Sequence, residues 1–223
     1  MRKVILSIIL VLVLTVPLCA SAFADDALPD IDVNDTLYWI ASTKHSIGTY
    51  CVPTFGNTLS TWEGQGFDSR MFEDMIAMIS DCRSQGYVCC VNLGYRDWGY
   101  NVARVDTMLV NGVYSDMIDF SNRDWLIPGC NEHQLGLGID ITNDYAFQND
   151  GFSYNDDAQY SDTWAWMKEH CTEYGFIVRY PEGKEGYYGI PCHPTHLRYV
   201  GKEVAQYMTE HNLCLEEFLA LYE

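Results

Sequence analysis

Two short segments hold the residues of this chain best suited to chemistry: Asn131-Glu-His133-Gln-Leu-Gly-Leu-Gly-Ile-Asp140 and His193-Pro-Thr-His196. Neutral imidazole and carboxylate are good zinc ligands. A set made of His133, Asp140 and His196 leaves a fourth position for water, as hydrolytic zinc enzymes require. Three of the six histidines fall in these segments. The spacing is not that of the HExxH helix, and Pro194 and Thr195 argue against any helix at HxxH. A plainer reading also fits the types alone, in which each histidine is a surface or core hydrogen-bonding group.

Positioning such groups requires a frame. Residues 135–141 alternate with period two, so Leu135, Leu137, Ile139 and Ile141 face one way and Gly136, Gly138 and Asp140 the other. Asp140 then lies on a face cleared by glycines, where a ligand can approach closely. Residues 71–83 repeat at helical spacing, with Asp68 or Ser69 as cap and Gly86 as stop. A buried strand is expected over 88–93, a helix over 101–110, and a helix over 161–174 capped by Ser161 or Asp162 and ended by Gly175. Strands follow over 176–180 and 195–200, then helices over 202–211 and 215–221. Residues 37–68 read as an irregular wrap with short strands. Helices and strands are interspersed without a βαβ rhythm, which favours an α+β fold.

The first 24 residues read as a secretory signal: Arg2 and Lys3, an apolar run to Val16, and Ala22-Phe23-Ala24 before Asp25. Lipidation at Cys19 is disfavoured by Pro17 and Leu18. Residues 25–36 form an acidic, loose lead-in, and 37–223 a single domain. Removing the signal takes away two basic residues and no acid, so 31 acidic residues face 11 basic ones, a net charge of −20. That charge argues against nucleic acid or an anionic surface as partner. No membrane span is expected in the mature chain. Eight cysteines remain, an even number that suggests disulfides in an exported protein, with Cys130 and Cys192 each beside a motif position. Burial of some as plain apolar side chains is the other reading.

The order of four motifs resembles the VanY-type D-alanyl-D-alanine carboxypeptidases. They are Pro128 to Asp140, Tyr174-Gly-Phe-Ile-Val-Arg-Tyr-Pro181, His196-Leu-Arg-Tyr-Val-Gly201 and Leu215-Glu-Glu-Phe-Leu219, with Gly94-Tyr95-Arg96 upstream. The resemblance covers roughly residues 37–221. It implies a small antiparallel sheet flanked by helices. It also implies a zinc peptidase acting on peptidoglycan stem peptides that end in D-Ala. The family's SxHxxGxAxD pattern falls on Asn131, His133, Gly136, Gly138 and Asp140, and its ExWH pattern on His193, Pro194, Thr195 and His196. His133, Asp140 and His196 thereby take the zinc-ligand roles. Arg96 takes the role of holding the terminal carboxylate, which a guanidinium binds bidentately. For Arg96 taken alone, an ordinary salt bridge is the other reading.

The departures carry weight too. Asn131 replaces the motif serine but still donates and accepts hydrogen bonds toward a substrate. Gly138 replaces an alanine, and Thr195 a tryptophan. His193 stands where the family has its catalytic glutamate, whose loss typically costs about 10²- to 10⁴-fold in rate. Three roles remain open for His193: general base, fourth metal ligand, or spectator in a site that binds without cutting. Glu182 and Glu185 lie nearby in sequence and could supply a carboxylate.

Overall fold

The computed structural model describes residues 27–50, 52, 58–119, 127–147, 156–189 and 193–223. The signal segment, Cys51 and Cys192 lie outside them. Among the described residues the cysteines at 82, 89, 90, 130, 171 and 214 carry free thiols. No described helix is long and apolar enough to cross a membrane.

A hairpin opens the ordered core: β1 (Leu59–Trp62) pairs antiparallel with β2 (Gln65–Asp68). Helix α1 (Ser69–Ser84) follows at once, its first turn capped by Asp68 through Arg70 N–H. Met71, Met75, Met78, Ile79 and Cys82 lie on one stripe of α1, all buried against the sheet. Strand β3 (Cys90–Leu93) comes next and starts two residues later than the apolar run suggests. The reason is visible in the carbonyls before it. Val88 O accepts from Thr163 Oγ1 at 2.9 Å and Cys89 O from Arg83 Nε at 2.8 Å, so side chains take what a ladder would use.

Helix α2 (Trp98–Val110) starts earlier than its apolar pattern because Asp97 caps it, accepting from Tyr100 N–H at 2.6 Å. Strand β4 (Gly138–Thr142) is shorter than the alternation from Leu135 implies. Residues Glu132–Leu135 instead form a 3-10 turn, closed by Gly136 at φ +73°. Only glycine holds that conformation cheaply, and the reversal ends any strand through it. Helix α3 (Asp162–His170) is capped by Ser161 and gives way to a 3-10 turn at Cys171–Tyr174, so the expected single helix is two pieces.

Strand β5 (Phe176–Tyr180) leads through the short helix α4 (Glu185–Tyr188) to β6 (His193–Tyr199). Helices α5 (Lys202–Glu210) and α6 (Leu215–Leu219) close the chain. The main sheet is antiparallel with order β3-β4-β6-β5. The fold is therefore α+β, with a small antiparallel sheet flanked by helices, as expected. One core lies between the sheet and α1 and α3; a second, around Val204, Met208, Leu215 and Phe218, packs α5 and α6.

Candidate metal centre

Sheet register brings the chemistry together. In the β4–β6 ladder Asp140 stands directly opposite His196, although 56 residues separate them in sequence. Directly opposed residues share a face, so both side chains meet on one side of the sheet. His133 reaches the same place from the 3-10 turn before β4. One ligand atom from each of His133, Asp140 and His196 falls within 4.8 Å of the others, and all three residues are buried. His196 Nδ1 is 2.7 Å from Asp140 Oδ1, and His133 Nε2 is 3.4 Å from Asp140 Oδ2. The rings of His133 and His196 meet edge to face at 4.9 Å, and Tyr180 stacks on His196 at 5.3 Å.

The donor set fits a divalent metal. His133 Nδ1 lies 3.1 Å from Gly94 O. A carbonyl only accepts, so Nδ1 carries the hydrogen and Nε2 turns its lone pair toward Asp140. Burial pushes the pKa of His133 down, and the pull of Asp140 does not restore it, so its imidazole is held neutral, as a ligand must be. For His196 burial acts in the same direction, but its hydrogen bonds and charge interactions with Asp140 and Glu132 outweigh it and raise the pKa.

Gly138 does more than widen the space. A Cβ there would sit 2.9 Å from both Cε1 and Nε2 of His196, so the ring occupies the volume an alanine methyl would fill. The face that the glycines clear is thus used by the His196 ring itself.

Beneath the cluster lies a charge network that the motif positions do not announce. Glu132 is fully buried. Its Oε1 accepts from Arg179 Nε at 2.8 Å, and Arg198 Nη1 approaches the same oxygen to 2.9 Å, off the hydrogen-bonding direction. The latter contact is a charge pair rather than a hydrogen bond. Arg179 also forms a fork on Glu216, at 2.9 and 2.6 Å. Burial alone would raise the pKa of Glu132, yet the two guanidinium groups overcome it and keep the carboxylate ionised far into acid. The signal was present in the sequence: a single arginine in each of the apolar strands Phe-Ile-Val-Arg-Tyr and His-Leu-Arg-Tyr, which a buried strand tolerates only with a partner.

Arg96 lies close by. Its backbone N–H donates to His133 O at 3.1 Å, and its charge helps depress the His133 pKa. The guanidinium donates to Tyr95 O and to Gln65 Oε1, and stacks over Tyr100 at 5.0 Å. Gln65 in turn accepts from Gly94 N–H and donates to Val91 O, so the arginine is held by a buried amide that motif spacing did not reveal. Asn131 is buried at the start of the 3-10 turn and donates to Ile127 O at 2.9 Å, while its Oδ1 makes no hydrogen bond. His193 opens β6 opposite Tyr180, three residues before His196 on the same strand; its side chain is outside the described part. Glu185 accepts from Gly183 N–H at the exposed start of α4, and Glu182 is exposed. Trp164 is buried in the core, whereas Trp98 is 40 % exposed.

Comparison with known proteins places these features. The family profile described as VanY, D-alanyl-D-alanine carboxypeptidase, matches residues 65–202. A D-alanyl-D-alanine carboxypeptidase of Enterococcus faecalis is 30% identical over 161 residues, which is 70% of this chain and 56% of that protein. The bifunctional D-Ala-D-Ala dipeptidase and carboxypeptidase VanXYC of Enterococcus gallinarum is 38% identical over 99 residues, 41% of this chain and 47% of that protein. The chain spans about half the length of the curated relatives it matches. Among solved structures, a glutamate-to-alanine mutant of the D,D-pentapeptidase VanY, in complex with Zn(II), superposes with a TM-score of 0.64 at 26% identity. It covers 83% of this chain and 99% of that one. The LD-carboxypeptidase LdcB gives 0.59 at 26% identity, with 72% of each chain covered. The cross-strand pairing of Asp140 with His196, the approach of His133 and the span of the profile lead to one assignment: this chain belongs to the VanY D-alanyl-D-alanine carboxypeptidase family.

Proposed function

We propose that the protein is an exported zinc carboxypeptidase that removes the terminal D-Ala from peptidoglycan stem peptides. The observation that carries this reading is the meeting of His133, Asp140 and His196 in one buried cluster, beside Arg96, in a chain of this family. Zinc held by those three side chains would supply a Lewis acid and a water acidified toward neutral pH. Everything else falls to the chain's own groups. Gly94 O orients His133, and β4–β6 register aligns Asp140 with His196. Gln65 steadies the Arg96 guanidinium, whose charge suits a substrate's free C-terminal carboxylate. Asn131 Oδ1 is an acceptor available to a peptide N–H. His193 is the general base, an imidazole whose unperturbed pKa of about 6.5 suits proton transfer near neutral pH.

The test is release of D-alanine from a peptide ending in D-Ala-D-Ala by zinc-loaded protein, read against a His196→Ala control. Release at the control rate defeats the proposal. Export is tested separately: the secreted or envelope-bound protein should begin at Asp25.

His193 motivates a second reading, because the family's glutamate is absent there. In it the protein binds cell-wall peptides through Arg96 without efficient turnover. Saturable calorimetric binding of a stem peptide, lost in Arg96→Ala and unaccompanied by D-alanine release, would select it over the first.

A further inference from the structure

Two thiols meet where helix α1 ends. Cys82 is the last member of the helix's buried stripe, and Cys89 follows after six residues, Arg83 to Val88, just before β3. Gly86, at φ +91°, reverses the chain between them. Arg83 clamps the returning arm: its Nε donates to Cys89 O at 2.8 Å, while its Nη atoms fork onto Glu63 in the β1–β2 turn at 3.0 and 3.3 Å. The thiols of Cys82 and Cys89 hydrogen-bond to each other, and both side chains are fully buried in the main core. The other described cysteines are placed differently. Cys90 lies outside that core, with its thiol on Arg83, as alternation along an extended chain requires. Cys171 shares the core but bonds to Thr172. Cys130 and Cys214 are not part of it.

We infer that Cys82 and Cys89 are a modification site, where the two thiols are oxidised to a disulfide that ties the end of α1 to the start of β3. The oxidant is another disulfide, of the glutathione or dithiol-oxidoreductase class. The Cys82 thiolate attacks one of its sulfurs and expels the other as a thiol. The Cys89 sulfur then attacks the mixed disulfide at Cys82 and expels the second thiol. Two cysteine thiols are oxidised, one external disulfide is reduced, and both protons leave on its thiols. Cys82 suits the attacking role, because the hydrogen bond from Cys89 and the charge of Arg83 draw its pKa down against burial. The turn and the Arg83 clamp already hold the ends together, so closure orders little more of the chain. Leu93 of β3 pairs with Asp140, so the bond would anchor the strand beside the one that carries Asp140. It forms without metal or substrate and is independent of the metal reading.

Tryptic mapping tests it. Cleavage after Arg70, Arg83 and Arg96 puts Cys82 on peptide 71–83 and Cys89 with Cys90 on peptide 84–96. Folded full-chain protein is equilibrated with reduced and oxidised glutathione, blocked with iodoacetamide under denaturing conditions and digested without reduction. A second sample is refolded from urea in the same buffer, so that burial does not bar the oxidant. The expected result is a joined peptide pair lighter than the sum by a pair of hydrogens, with the blocking group on Cys90 alone; reduction before blocking separates it. Cys90→Ser should retain the link. Unlinked, fully blocked peptides in both samples overturn the inference. So does a link from Cys82 to Cys90, or to peptide 169–179, which carries Cys171. If Cys90→Ser does not fold, fragmentation of the wild-type pair locates the bond.

Discussion

Replacing Arg179 by Met should destabilise the protein far more than its surface ion pairs would suggest. The side chain is 1 % exposed and supplies three charge-assisted hydrogen bonds, one to Glu132 and two to Glu216. Methionine fills most of the volume and leaves the packing against Tyr180 largely intact. The loss is therefore electrostatic: Glu132 keeps its burial and retains the off-axis approach of Arg198 and the 3.8 Å contact with His196 Nε2. Removing one partner of a buried ion pair costs about 3–5 kcal/mol, because the other charge stays desolvated. For comparison, an exposed pair such as Lys202–Asp74, with its lysine 59 % exposed, is worth about 0–1 kcal/mol. With a urea slope of about 2 kcal/mol/M, the midpoint should fall by about 1.5–2.5 M. Equilibrium urea unfolding followed by circular dichroism reads this directly. Adding Glu132→Gln to Arg179→Met should recover part of the loss, since the stranded charge is then gone. A drop below about 1 kcal/mol, or a double variant no better than the single, would refute the argument that Glu132 depends on Arg179.

Three further outcomes are expected. His196→Ala should reduce bound zinc to below about one-tenth of the wild-type content while the protein stays folded, because a metal site needs its full ligand count; elemental analysis after gel filtration checks it. His193→Glu should leave kcat for D-alanine release largely unchanged at equal metal content, because one general base replaces another; a gain of about 10²- to 10⁴-fold would show that His193 does not act as the base. Glu217 feels burial upward but is pulled further down, to about 2, by Lys184 and the Cys214 backbone N–H, from an ordinary value of 4.5. A depressed carboxylate contributes stability above its unfolded pKa and loses it as pH falls through the folded one. The wild type should thus lose more stability between pH 4.5 and 2 than Glu217→Gln does, measured by denaturation across that window.

That His133, Asp140 and His196 belong together was legible in the sequence through the order of the motifs that carry them. What aligned them was not. Register between β4 and β6 depends on pairing across 56 residues, and no local pattern specifies which residue faces Asp140. Helix bodies were readable from apolar spacing, as in α1, while their ends depended on single capping groups such as Asp97. The strand proposed from Leu135 shows the limit of periodicity. Alternation continued through Gly136, but a left-handed glycine broke the chain there, and two different linings produced the same alternating pattern. The support under the site was hidden for a related reason. Glu132 falls between two motif positions without matching either, and its partners come from β5 and β6.

The family profile ends at residue 202, yet the fork on Arg179 is closed by Glu216, fourteen positions beyond it. A chain cut at that boundary would contain His133, Asp140 and His196 and still lack half of the counter-charge holding the arginine in place. The closing helix is accordingly part of the foundation of the centre, and shortening the protein at its far end should be felt first at His196.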